Sequence, residues 1–168
     1  MPIVEPEVLM DGPHTIERSF DVTTAVLDAL YEALFVQRVR LEGTLLKPNM
    51  VLSGYGCAQQ ASVDEVAERT VRCFRATVPA AVPGIVFLSG GQSDELATAH
   101  LDAMNKRGPH PWELSFSYGR ALQAPALKAW KGQAANLDAG KAAFLHRARL
   151  NGAARSGSYS PAMETVAS

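Results

Sequence analysis

The stretch Leu41-Glu42-Gly43-Thr44-Leu45-Leu46-Lys47-Pro48-Asn49-Met50 decides how the chain is read. Thr44, Leu45 and Leu46 form a short apolar run, and Pro48 lacks the backbone donor that would extend a ladder. The spacing predicts a buried strand that stops at Lys47. An amine held against an apolar wall is disfavoured as an ammonium, and the neutral amine attacks carbonyls. A snorkelling lysine at a sheet edge is the commoner fate of one lysine, so the flanking segments must decide.

Upstream, Pro2 to Leu9 is an extended apolar segment in which Glu5 and Glu7, at i and i+2, share a face. Asp11-Gly12-Pro13 signals a turn. Ile16, Phe20, Thr23, Leu27, Leu30, Tyr31 and Leu34 then recur at helical spacing, with Thr15 placed to cap them. Downstream, a Gly/Cys/Gln-rich connection leads to a helix opened by Ser62-Val63-Asp64-Glu65 and closed by Pro79 and Pro83. Gly84 to Leu88 reads as a third strand, running into Ser89-Gly90-Gly91-Gln92-Ser93. A helix from about Asp94 to Lys106 comes next, with Leu96, Ala99, Ala103 and Met104 as its expected inner face. Trp112 to Tyr118 reads as a fourth strand. Helices are expected over Pro125–Trp130 and about Asn136–Leu150, stopping at Asn151-Gly152. The expected division is residues 1–152 as the folded unit and 153–168 as a loose tail.

Alternating strands and helices imply parallel βαβ units. Two architectures fit: a small open doubly wound sheet, or part of a (β/α)8 barrel. At 168 residues the first is favoured by length alone, because a full barrel takes roughly 250 residues. A hydrophobic share of 47% supports a core, and a net charge of −1 without charged blocks argues against a nucleic-acid partner. No apolar run approaches the order of 18 residues needed to cross a membrane. Cys57 and Cys73 lack metal or redox spacing, His14, His100, His110 and His146 are scattered, and no basic–apolar leader opens the chain. A cytoplasmic protein without a metal is the expectation.

Polar residues gather at the end of every predicted strand: Glu5 and Glu7, then Lys47 and Asn49, then Ser89-Gly90-Gly91, then Ser117, Tyr118, Gly119 and Arg120. Ligands of parallel α/β folds bind at that edge. A Ser-Gly-Gly turn before a helix offers backbone N–H groups to an anion, and Arg120 can add a charged fork. Each feature alone has a plainer reading as loop, solvated edge or surface residue. Their concentration on one edge, around a lysine, points to a phosphate and carbonyl chemistry.

Ile3-Val4-Glu5-Pro6-Glu7, Leu41 through Met50, Phe87-Leu88-Ser89-Gly90-Gly91-Gln92-Ser93 and Phe116-Ser117-Tyr118-Gly119-Arg120-Ala121-Leu122-Gln123 closely resemble class I, Schiff-base fructose-1,6-bisphosphate aldolases. The likeness runs from Pro2 to about Pro161. It implies strands five to eight of a (β/α)8 TIM barrel, a parallel (βα)4 half with C-terminal helices, and a glycolytic lyase that works without a cofactor. It implies that Lys47 forms the imine, that Glu5 is the acid/base of imine formation, and that Glu7 is a neighbouring carboxylate. Ser89, Gly90, Gly91, Gly119 and Arg120 would hold the phosphate nearest the ketone, with Ser117 and Tyr118 beside them. The resemblance puts further proton-transfer and second-phosphate residues on four earlier strands, and a terminal tyrosine where this sequence has Val166-Ala167-Ser168. The partners expected are therefore a sugar phosphate and either an N-terminal half-barrel or a second copy of the chain. A phosphate-binding or assembly half-barrel without catalysis is the alternative, and a different Schiff-base lyase a third.

Overall fold

The computed structural model describes residues 1–165. Its strands are β1 (Ile3–Val4), β2 (Leu45–Leu46), β3 (Gly84–Phe87) and β4 (Glu113–Phe116). Its helices are α1 (Ile16–Val36), α2 (Val63–Thr77), α3 (Asp94–Lys106), α4 (Arg120–Trp130) and α5 (Leu137–Arg155). Side-chain caps set three helix starts: Thr15, Ser62 and Ser93 accept from the backbone N–H groups of Arg18, Glu65 and Leu96. Glu17, Asp64, Glu65, Asp94 and Glu95 place negative charge in those first turns.

All four strands are parallel, in the order β1-β2-β3-β4. That order separates the two architectures. A doubly wound sheet reverses its strand order at a switch point. Here each strand lies beside its predecessor, and successive helices pack on each other, α1 on α2, α2 on α3 and α3 on α4. With every crossover of one hand, all helices fall on one face. The result is a parallel (βα)4 half of a TIM barrel.

The two sheet faces differ sharply. Leu46, Ile85, Phe87 and Leu114 point toward the helices and are at most 3% exposed. Phe87 stacks on Phe74 of α2, with centroids 5.7 Å apart. On the other, concave face Leu45, Lys47, Val86, Ser115 and Ser117 are only half-buried, and Ile3 is exposed. Alternate residues of a strand face opposite ways, so Glu5 and Lys47, each one residue past its strand, share that concave face.

Several local expectations need correction. The strands are shorter than read, because the segments beyond Val4, Leu46 and Phe116 leave the sheet in order to make loops. Of the predicted stripe of α3, Met104 is buried and Ala99 and Ala103 pack partly buried against the core, but Leu96 is 48% exposed, and the helix also buries Ala97, Thr98 and Leu101. Helix α4 begins at Arg120, not Pro125: the Gly119 carbonyl accepts from Leu122 and Gln123, and the proline sits inside the helix. The lost proline bond is offset by packing along α5. Helix α5 continues through Asn151-Gly152 to Arg155. Asn151 is a buried helix-interior residue, accepting from Thr98 Oγ1 and donating to the Arg147 carbonyl.

The boundary at residue 152 therefore falls inside a helix, and the chain beyond it packs. Tyr159 is buried, its N–H donates to Asp102 Oδ1 at 2.9 Å and its hydroxyl to Glu164 at 2.8 Å. Glu164 in turn pairs with the buried Arg147. The expectation of a loose tail fails for residues 153–165 because these polar contacts fasten them to α3 and α5; residues 166–168 lie outside the described part. Among the described residues no helix is long and apolar enough to cross a membrane.

Phe74 joins the helix layer to the sheet, so Phe74→Ala should cost about 3–5 kcal/mol of stability. Urea unfolding at constant m-value checks this, and a loss below about 1 kcal/mol would show that the Phe74–Phe87 stack is not a central contact.

Candidate active site

The site is built on the carboxyl ends of the strands. Register sets its first pair. Val4 lies opposite Leu46, and the Lys47 N–H donates to the Val4 carbonyl at 2.7 Å, carrying the ladder one step past β2. Glu5 and Lys47 thus emerge side by side, and Lys47 Nζ meets Glu5 Oε1 at 2.8 Å. The lysine side chain is 21% exposed and the glutamate 49%. The expected apolar wall is therefore only part of the environment of Lys47, and a carboxylate in hydrogen-bond reach is the rest. Such a pair can pass a proton between a nucleophilic amine and its acid/base partner.

Asn49 is not part of this pair. It is buried, accepts from the Val8 N–H and donates to Thr23 Oγ1, so it ties the β2 exit to the β1 exit and to α1. Glu7 is exposed and makes no ion pair among the described residues.

The second part is the turn after β3. The Gln92 N–H closes it onto the Ser89 carbonyl at 3.0 Å. Gly90 (φ +59°) and Gly91 (φ +92°) occupy the left-handed region that only glycine adopts cheaply. Space is restrictive at Gly90 as well. A Cβ on Gly90 would lie 2.6 Å from Met10 Sδ, and one on Gly91 would lie 3.4 and 3.6 Å from the two terminal nitrogens of Arg120. The guanidinium at the start of α4 thus lies directly over the Gly91 backbone. Turn amides beside a fixed guanidinium are the elements of a phosphate cradle. Ser89 is buried beneath it, Ser117 extends the β3–β4 ladder by donating to the Phe87 carbonyl, and Gly119 stands at the α4 N-terminus next to Arg120.

Tyr118 is placed elsewhere. Its side chain is buried and its hydroxyl donates to the Ala97 carbonyl of α3 at 2.8 Å, and burial pushes that phenol far above its ordinary range. The phenol cannot meet a substrate at the strand ends; it joins β4 to α3. A different tyrosine is at the site. Tyr55, in the loop after β2, donates to the Gly90 carbonyl at 3.1 Å, and its ring lies 3.6 Å from the Cβ position of Gly91. Burial pushes the Tyr55 phenol up, and Arg120 draws it part of the way back. Local pattern reads Tyr55 only as loop; an aromatic between two glycines, Gly54-Tyr55-Gly56, on the ligand edge is the signal that could have found it.

The family profile of class I fructose-bisphosphate aldolase matches residues 1–168. The chain belongs to the class I fructose-bisphosphate aldolase family. It is 56% identical over 160 residues to a Xanthomonas campestris protein named "Probable fructose-bisphosphate aldolase class 1", covering 95% of this chain and 48% of that protein. Fructose-bisphosphate aldolase B of Sparus aurata is 55% identical over 162 residues, covering 96% of this chain and 44% of the relative. The fold matches Plasmodium falciparum fructose-bisphosphate aldolase, solved with TRAP and a small-molecule inhibitor, with TM-score 0.93 and 51% identity over 95% of this chain and 46% of that one. The chain thus spans somewhat less than half the length of the aldolases it matches.

Tyr118→Phe should leave sugar-phosphate binding unchanged while lowering stability by about 0.5–1.5 kcal/mol, the net worth of one lost hydrogen bond, because the Ala97 carbonyl keeps its bond within α3. Calorimetry and urea unfolding measure the two separately. A tenfold loss of affinity at unchanged stability would return Tyr118 to the site.

Proposed function

We propose that this chain carries the Schiff-base half of a fructose-bisphosphate aldolase, cleaving fructose 1,6-bisphosphate reversibly to dihydroxyacetone phosphate and glyceraldehyde 3-phosphate. The 2.8 Å approach of Glu5 to Lys47 carries the reading. It puts a nucleophilic amine and an acid/base group on the same concave face, next to a turn and an arginine suited to a phosphate.

In this reading the phosphate nearest the ketone rests on the Gly90-Gly91 turn and Arg120, which fixes the carbonyl over Lys47. The unprotonated amine attacks the ketone carbon to give a carbinolamine. Glu5 protonates the departing hydroxyl, water leaves, and a protonated imine remains. A proton-transfer group of the family's first four strands takes the C4 hydroxyl proton as the C3–C4 bond breaks, the bond's electron pair passes into that imine, and an enamine on Lys47 and the free aldehyde result. Protonation at C3 and hydrolysis, with Glu5 reversing its role, regenerate the amine and release dihydroxyacetone phosphate. Glu7 stands as a second carboxylate at the β1 exit. Ser89, Ser117 and Gly119 shape the cradle from below and beside it.

The half-exposed concave face and the outer edges of β1 and β4, which pair with no strand among the described residues, support a partner. We assign that role to a (βα)4 unit of the family's first half, with self-association of this chain as the substitute when it is absent. A glycolytic lyase of this kind would act in the cytoplasm.

Borohydride trapping with dihydroxyacetone phosphate, followed by peptide mass spectrometry, should put the reduced adduct on Lys47. An adduct on another lysine with Lys47 unmodified would reject the assignment. Phosphate binding without any adduct, even with the first half-barrel added, would favour a binding module over an enzyme.

Arg120→Ala removes a charge-assisted contact of about 1.5–3 kcal/mol, so sugar-phosphate affinity should fall at least about tenfold. Unchanged affinity in calorimetry with the fold intact would remove Arg120 from the cradle.

A further inference from the structure

Behind the Gly90-Gly91 turn lies a second, partly enclosed cavity of about 470 Å³, between α2, α3 and the loop after β2. Neither Lys47, Glu5 nor Arg120 lines it; Gly91 and Gln92 form the wall it shares with the turn. Its volume falls in the range of small-molecule sites, which join apolar walls to a few convergent polar groups. Leu52 and Val66 are buried in its walls, and Leu96 and Tyr55, both about half exposed, are among its lining residues. The exposure of Leu96, against the helical pattern, is thus accounted for by a cavity.

Several polar groups of the lining already have protein partners. Ser53 Oγ accepts from the Ala61 N–H, Ser93 Oγ from the Leu96 N–H, and the Tyr55 hydroxyl donates to Gly90. Gln92 Oε1 lies 2.6 Å from His100 Nδ1. His100 is only 4% exposed. An amide oxygen can only accept, so Nδ1 carries the proton and Nε2 keeps its lone pair. Nε2 makes no hydrogen bond among the described residues. Burial also lowers the His100 pKa to about 4, which keeps the ring neutral near pH 7. Nε2 is not among the buried unpaired side-chain atoms of the described residues, so solvent reaches it, and a ligand that brings a donor would take the place of water there.

We infer that this cavity is a second ligand site, distinct from the Lys47 face, for a neutral molecule with a flat apolar body and one N–H or O–H that donates to His100 Nε2. An anion finds no cation in the lining, and a metal ion finds only one ligating nitrogen there.

Indole has the required body and donor, and 1-methylindole has the body alone. The full chain, labelled with ¹³C at histidine Cε1, is titrated with each and followed by NMR. Indole should shift the His100 resonance saturably, with His14, His110 and His146 as internal references. 1-Methylindole should bind about tenfold more weakly. Leu96→Asp, at an exposed lining position that the fold does not depend on, should weaken indole about fivefold through lost apolar contact. Absence of a saturable His100 shift up to the solubility of indole would overturn the site. So would equal affinity for the two compounds, or an affinity untouched by Leu96→Asp while the spectrum shows a folded chain. None of these readouts depends on aldolase activity.

Discussion

The register of β1 on β2 is the constraint on which the site depends. Side chains alternate along a strand, so a slip of one residue would turn Glu5 away from Lys47 and send the amine toward the helices. The strands that hold this register have two residues each. Their pairing is extended by bonds outside the strands: Leu45 to the Pro2 carbonyl, Lys47 to the Val4 carbonyl, and Val8 to the side chain of Asn49. Burial adds to it. Leu46 is 1% exposed on the helix face, and a slip would exchange it for a charged lysine. The hydrophobic demand of the convex face thereby positions the polar pair on the concave one.

The cradle depends on a second constraint, strain held in place by neighbours. Two consecutive residues with positive φ make a turn that glycine permits but does not impose. The surrounding residues impose it. Met10 packs where a Gly90 side chain would be, Tyr55 holds the Gly90 carbonyl, and Gln92 is locked from behind by His100. Each anchor comes from a different segment, so the turn is fixed only once the β1 exit, the β2 exit and α3 are assembled.

The sequence was legible where a residue's role is local. Pro48 ends β2 because it has no donor, and Thr15, Ser62 and Ser93 start helices because their side chains accept from the next turn. Lys47 and Glu5 could be paired on paper because both stand one step past a strand. It was illegible where tertiary contact overrides local chemistry. Pro125 and Asn151-Gly152 look like helix boundaries, yet α4 and α5 pack on each other through them, and a partner on α3 satisfies Asn151. Tyr118, expected beside the phosphate, turns its hydroxyl to α3 instead, while Tyr55, read only as loop, reaches the Gly90 carbonyl, because which end of a side chain is buried depends on the elements beside it. The strand order, which distinguishes half a barrel from a doubly wound sheet, is a property of pairing that no local pattern encodes.

Exposure of the concave face bears on how strongly the pair can act. At 49% exposure for Glu5, water competes for its carboxylate, and ion pairs in such surroundings contribute about 0–1 kcal/mol. The same groups, with the same separation, interact far more strongly once water is excluded, because the effective dielectric falls. The Lys47–Glu5 contact is therefore set within this chain, whereas its energetic weight depends on the water around it. Covering the concave face would leave the 2.8 Å contact where it is and raise its energetic weight. The helix-side core fixes where Lys47 and Glu5 stand, and the access of water to the opposite face fixes how much their proximity is worth.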